Sequence, residues 1–401
     1  MPPLPPVKAS DSRAARLVLL VTAIGLISLN LRPALTSPGP LLSEIMREFG
    51  IDTALAGGVT GISLICLGVF GAAAPRLARR FGPERVILAL LVVLAAGIAL
   101  RGTGSFGALI GGMILAGLGI GVIQVLLPGI VKRDFARHAG TMTGLYTMNL
   151  CLGAAIGAGL AIPLEQTLGS WRLSLAAWAL PALAAAIIWL PQAFVRQSPA
   201  PRAARPGRLW RDPLAWAVTC FMGLQSCLAY MMIGLMPLIL EQRGDDSARA
   251  GLITAIAIAP QALTALAVPH FAARMRNQSA VAIVSIAVSA IGFLGLLFAP
   301  PSTALLFAVI EGLGLGATIG IAILFIVLRA PDSHVATDLS GMSQSVGYII
   351  AALGPIVAGL LRDAGGNWVL PAAFFLAVAS LNAVAGWYAG RDAHVLQDPE
   401  S

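Results

Sequence analysis

The chain has 401 residues, 58% of them apolar and only 11% charged, with a formal net charge of +8. Soluble domains run near 25% charged, so the composition excludes an ordinary water-soluble enzyme, a disordered chain and a nucleic-acid-binding domain. An all-α membrane protein fits, because lipid solvates the apolar excess.

Residues Met1–Arg16 are Pro-rich and basic and lead into a long apolar run. That run contains Asn30 and Arg32 and offers no clean small-residue cleavage site, so it reads as a retained first span rather than a signal peptide. Twelve apolar runs are expected to span the membrane. The first six are Ala15–Ser43, Ala54–Ala74, Glu84–Leu100, Phe106–Val131, Gly140–Pro163 and Leu173–Phe194. Phe194–Asp212 is Pro- and Arg-rich and reads as a linker. The second six are Leu214–Leu240, Ala248–Phe271, Ala280–Phe298, Thr303–Leu328, Leu339–Leu361 and Val369–Ala389. The runs are continuous rather than alternating, which excludes a β-barrel. The implied division is an N-terminal tail (1–14), a six-helix half (15–194), a linker (195–212), a second six-helix half (213–389) and a tail (390–401).

Nineteen of the 26 Lys and Arg residues then fall on the side of the termini, counting those at span ends, six on the other, and Arg32 is left deep inside a span. This bias predicts both termini in the cytoplasm, in a multi-pass inner-membrane protein. Cys66, Cys151, Cys220 and Cys227 sit in apolar runs without metal-ligand spacing, so neither a metal site nor a disulfide framework is expected.

The two halves repeat. Pro75-Arg-Leu-Ala-Arg-Arg-Phe81 matches Pro269-His-Phe-Ala-Ala-Arg-Met275, and at the same offset Gly57 meets Gly251 and Thr60 meets Thr254. Gly117-Leu-Gly-Ile-Gly121 matches Gly312-Leu-Gly-Leu-Gly316, and Thr143-Gly144 matches Ser340-Gly341. Matches in one order at a nearly constant offset indicate a six-plus-six duplication.

Two six-span halves joined by a basic linker resemble the major facilitator superfamily along the whole chain. The resemblance implies a solute site near the midplane between the halves. Pro75-Arg-Leu-Ala-Arg-Arg-Phe-Gly-Pro-Glu-Arg-Val86 resembles the superfamily's loop 2–3 motif, G-x-L-A-D-R-x-G-R-R. Arg80 and Gly82 fit; Pro75 replaces the opening Gly and Arg79 the Asp that helps latch the family's cytoplasmic gate. A different latch is therefore expected, from Arg79 or Arg80 to Asp332 or Asp338, the acidic residues of loop 10–11. Leu29-Asn-Leu-Arg-Pro33 with Gly39-Pro-Leu-Leu42, Met142-Thr-Gly-Leu-Tyr146, Phe221-Met-Gly-Leu-Gln225 and Leu339-Ser-Gly-Met-Ser-Gln-Ser-Val-Gly-Tyr348 resemble the cyanate and 2-nitroimidazole porters (CynX/NimT-like).

Arg32 is the strongest candidate for solute binding. A guanidinium inside the bilayer is costly unless it is paired or hydrated, and its planar fork suits carboxylate-like anions. Pro33, Pro38 and Pro40 follow at once and bend or break the helix. Asn30, Gln124, Tyr146, Asn149, Gln225, Tyr230, Gln344 and Tyr348 are further polar candidates on spans that line the cavity in the resembled fold. Glu311 is the only carboxylate deep within a span, at a depth close to that of Arg32. Two readings stay open for it, an ion pair with Arg32 that an anionic solute disrupts, and a proton-coupling site.

The expected function is secondary active transport of a small anionic or polar organic solute by alternating access, coupled to protons, by a monomer without cofactor. A drug/proton antiporter is the alternative, weakened because Gly153-Ala-Ala-Ile-Gly157 is followed by Ala158 where an antiporter motif has Pro. An intramembrane enzyme or sensor is disfavoured, since no HExxH, Ser–His arrangement or paired intramembrane Asp is present and His138, His270, His334 and His394 are scattered.

Overall fold

Within lipid every backbone polar group must find an internal partner, and helices provide this locally. The computed structural model describes residues 9–51, 53–194 and 206–397, and these residues are predominantly helical, with no strand among them. The expected N-terminal tail up to residue 8 and linker residues 195–205 lie outside the described residues, as do the side chains of Gly57 and Thr60.

The first half comprises α1 (Ala9–Asn30), α2 (Pro33–Thr36), α3 (Leu42–Phe49), α4 (Thr53–Gly71), α5 (Ala74–Phe81), α6 (Pro83–Leu100), α7 (Phe106–Asp134), α8 (Ala139–Leu168), α9 (Trp171–Ala177) and α10 (Ala179–Ala193). The second comprises α11 (Pro213–Gln242), α12 (Ser247–Ile256), α13 (Ile258–Ala272), α14 (Ser279–Phe298), α15 (Ala304–Arg329), α16 (Ser333–Gly365) and α17 (Val369–Ala389). Among the described residues eleven helical stretches are long and apolar enough to cross a membrane, and twelve if the pair Ile62–Gly71 and Ala74–Phe81, bent by 50°, is one span.

Several spans are not single rods. The expected run Ala15–Ser43 breaks after Asn30, span six breaks at Trp178 and span eight at Ala257. Proline accounts for the positions. α4, α9 and α12 each end four residues before a proline, Pro75, Pro181 and Pro260, whose missing N–H leaves that carbonyl without its helical donor. Helix starts follow side-chain chemistry too. Asp212 Oδ1 accepts from Leu214 N (2.8 Å) and Ala215 N (3.1 Å) ahead of Pro213 in the first position of α11. Ser105 and Asp246 cap α7 and α12 in the same way.

Glycines set the helix contacts, and they do so twice. In span four Gly117 and Gly121 rest against span two, at Ser63, Cys66 and Leu67, while Gly119 faces Leu90 and Leu94 of span three. In span ten Gly312 and Gly316 rest against span eight, at Ala257 and Gln261, while Gly314 faces Ser289 of span nine. The same small-residue stripe therefore packs the same pair of neighbours in each half, as a duplicated six-helix unit requires.

The hydrogen bonds that join the halves among the described residues lie between mid-bundle and the end carrying the linker and the described C-terminal residues. From that end inward they include Arg79–Asp338 (2.6 Å), Thr141–His270 (2.8 Å), Thr147 Oγ1 to Ala265 O (2.8 Å), Gln124 to Gln344 (2.9 Å) and to Tyr348, and Arg32–Tyr230 (3.1 Å).

Candidate functional site: an arginine among tyrosines

The break in span one positions the central side chain. Leu29 O has lost its helical donor to Pro33, and Gly153 of α8 packs directly on that carbonyl. Arg32 is the residue at the break, caps α2, and is half-buried. Its Nη1 donates to Tyr230 Oη of α11 at 3.1 Å. Tyr348 of α16, Tyr146 of α8 and Cys151 of α8 also interact with it electrostatically. Three of the chain's four tyrosines thus converge on one guanidinium, from both halves.

No carboxylate pairs with Arg32 among the described residues. Its neighbours are neutral phenols and a thiol. The Tyr146 hydroxyl is buried without a hydrogen-bond partner, and Asn149, half-exposed beside Gly25, makes no hydrogen bond among the described residues. The site therefore offers positive charge and hydroxyl donors, which is the chemistry of an anion receptor.

Beneath it, Gln124 Nε2 donates to Gln344 Oε1 at 2.9 Å and to the Tyr348 hydroxyl, while Gln344 Nε2 reaches Gln124 O (3.1 Å) and Ser340 Oγ (2.8 Å). Both glutamines are buried. They form a cross-half network that supports Tyr348.

The other polar candidates are placed elsewhere. Asn30 Nδ2 bonds Leu26 O (3.0 Å) and Pro181 O (3.1 Å), so it joins α1 to α10. Gln225 Nε2 is held by Ser226 Oγ (2.7 Å) and Met222 O (3.2 Å) on its own helix, and no hydrogen bond joins it to Arg32 among the described residues. The Arg32–Glu311 pair is not formed. Glu311 is fully buried against α14, where Ser289 Oγ lies 3.0 Å from both carboxylate oxygens. Helix rotation is the reason. Glu311 and Gly314 are three apart and share the face toward span nine, whereas Gly312 and Gly316 face span eight. Depth along the span, which placed Glu311 near Arg32, carries no information about that angle.

At the latch position Arg79 Nη1 lies 2.6 Å from Asp338 Oδ1, joining α5 to α16. Asp332 does not take part: its Oδ1 caps α16 by accepting from His334 N (2.8 Å) and Val335 N (2.9 Å). Arg80 lies over the Phe81 ring instead. A second cross-half contact escaped the sequence reading. His270 Nδ1 meets Thr141 Oγ1 at 2.8 Å while Arg274 Nη2 lies 2.8 Å from His270 Nε2. Arg274 has only protons to give, so His270 Nε2 accepts and Nδ1–H donates to Thr141. The matched segments Pro75–Phe81 and Pro269–Met275 carry these two contacts, and their alignment was the signal that pointed to it.

The Major Facilitator Superfamily model matches residues 19–246 and 219–401. An uncharacterized transporter of Bacillus subtilis, YycB, is 37% identical over 94% of this chain and 95% of its own length. The 2-nitroimidazole transporter of Escherichia coli is 36% identical over 94% and 97%, and the cyanate transport protein CynX of the same species 29% over 88% and 93%. The solved structure of the proton:xylose symporter XylE superposes with a TM-score of 0.77 at 13% identity, over 93% of this chain and 95% of that one. With the duplicated bundle, the proline-broken first span and a family match across nearly all of its length, the chain belongs to the major facilitator superfamily, among relatives of the 2-nitroimidazole and cyanate porters.

Proposed function

We propose that the chain carries a small organic anion across the inner membrane by alternating access, and that the anion's charge is received by Arg32. The observation that supports this most is the guanidinium without a carboxylate partner among the described residues, hydrogen-bonded to Tyr230 and within electrostatic reach of Tyr146 and Tyr348, so that both halves meet it. A group contacted from both halves is placed to couple solute binding to their relative motion. Relatives of this chain are named for the transport of 2-nitroimidazole and of cyanate, both small solutes.

The lysine and arginine bias puts the termini in the cytoplasm. The cross-half contacts then close the cytoplasmic end, which makes this arrangement the outward-facing or occluded member of the cycle. In this reading the Arg79–Asp338 pair is the cytoplasmic latch, with Thr141–His270 as its counterpart in the duplicated position.

Saturable uptake of radiolabelled benzoate or cyanate into proteoliposomes, competed by other small anions, tests the proposal. Absence of saturable flux for every anion in such a panel would overturn it. We assign proton coupling to Glu311, a fully buried carboxylate with a hydroxyl partner and no ion pair among the described residues. Glu311→Gln is expected to keep solute counterflow and to lose accumulation driven by a pH gradient. Full gradient-driven accumulation in that variant would remove Glu311 from the coupling role.

A further inference from the structure

Arg101 follows the last residue of α6 and, by sequence position, belongs to a loop. In the folded chain it is fully buried. Its Nη1 donates to Ala34 O in α2 at 2.8 Å. The reason that this carbonyl is available lies in the sequence. α2 keeps helical bonds from Thr36 N to Arg32 O (3.1 Å) and from Ser37 N to Pro33 O (2.9 Å). The next bond in the series would run from the N–H of residue 38 to Ala34 O, and residue 38 is proline. Gly112 of α7 leaves the path open, because a Cβ there would fall 2.6 Å from Arg101 Cγ. On another flank Thr36 Oγ1 bonds Ala154 O of α8 at 3.0 Å.

We infer that Arg101 is a positioning residue for the solute site, its guanidinium replacing the backbone N–H that Pro38 lacks and so fixing the short segment that begins at Arg32. The inference rests on the reading of Arg32 as the anion-binding group. Arg101 is a poor stabiliser. Its Nε and Nη2 have no hydrogen-bond partner, and no carboxylate pairs with it among the described residues. A buried cation with so little compensation costs stability relative to an apolar side chain of similar length. Its contribution is therefore to geometry.

Arg101→Met removes the donor and keeps much of the volume. Adding Pro38→Ala returns an N–H to the position that Arg101 serves. Purified protein in detergent gives three readouts: benzoate affinity, hydrogen exchange of the peptide covering residues 31–41, and thermal stability. One charge-assisted hydrogen bond corresponds to about tenfold or more. Arg101→Met is expected to weaken benzoate binding and speed exchange by about that factor, without lowering thermal stability. The double variant is expected to recover most of both. Unchanged exchange in Arg101→Met, a deficit that Pro38→Ala does not recover, or a loss of stability in step with affinity would overturn the inference. If Arg101→Met does not fold, Arg101→Gln with and without Pro38→Ala gives the same comparison. If exchange responds and recovers while benzoate binding is indifferent to Arg32→Ala, the solute reading fails and the positioning role stands.

Discussion

Arg32→Ala is expected to abolish measurable affinity for a small organic anion while the protein still folds and inserts. The side chain makes no ion pair among the described residues, and its hydrogen bond to Tyr230 joins it to a neutral phenol. Removing it breaks no salt bridge, and exchanging an unpaired charge for an apolar group is often neutral or stabilising. On the proposed reading the solute loses the guanidinium that receives its charge. Charge-assisted contacts are worth about 1.5–3 kcal/mol each, so losing one contact lowers affinity roughly tenfold to a hundredfold, and a bidentate anion loses two. Arg32→Lys keeps the charge and loses the planar fork, and is expected to fall between wild type and Arg32→Ala. Solute affinity beside thermal stability reads both. Wild-type affinity in Arg32→Ala, or unfolding in Arg32→Lys, would refute the binding role.

The second large effect is expected at the Arg79–Asp338 pair. The two side chains are 35% and 15% exposed, so the pair lies between a solvated and a buried ion pair. Exposed pairs contribute about 0–1 kcal/mol, and partial burial adds to that. Asp338→Asn is therefore expected to shift the balance of states severalfold toward the inward-open form. Ser345 reports it, because it is buried against Gly68 and Gly71 on the cross-half path between spans two and eleven. In a protein with its native cysteines replaced, Ser345→Cys is expected to react faster with a cytoplasmic thiol reagent once Asp338→Asn is added. The exchanged pair Arg79→Asp with Asp338→Arg is expected to bring the rate back toward the parent. An unchanged rate in Asp338→Asn would remove the pair from the gate. Asp332→Asn, which alters a helix cap, is expected to act on stability and not on this rate.

The architecture was legible because its signals are collective. Continuous apolar runs, a charge bias spread over many loops and glycines at a nearly constant offset pointed to the spans and the duplication, and Val369–Ala389 has the same bounds in the sequence and in the structure. Arg32 was legible for the opposite reason: one guanidinium in an apolar run is costly enough to stand out alone. What failed was anything set by rotation about a helix axis. Glu311 faces span nine and does not pair with Arg32, and Asn30, two residues before Arg32, points to α10. Arg101 was hidden by its place at a span end, where an arginine ordinarily meets water. Asp332 was readable as a cap, since it stands directly before Ser333 at a helix start, but its charge drew attention to the gate instead. The breaks in spans six and eight were also readable, from Pro181 and Pro260, once proline is weighed in every span and not only beside an arginine.

The claim on which the rest depends is that Arg32 recognises negative charge. The most direct measurement is the ratio of affinities for benzoate and for its neutral isostere benzamide, in the wild type and in Arg32→Gln. The account predicts that the wild type prefers benzoate by about tenfold or more and that Arg32→Gln shows no preference. The same preference in both proteins, or none in the wild type, would contradict it.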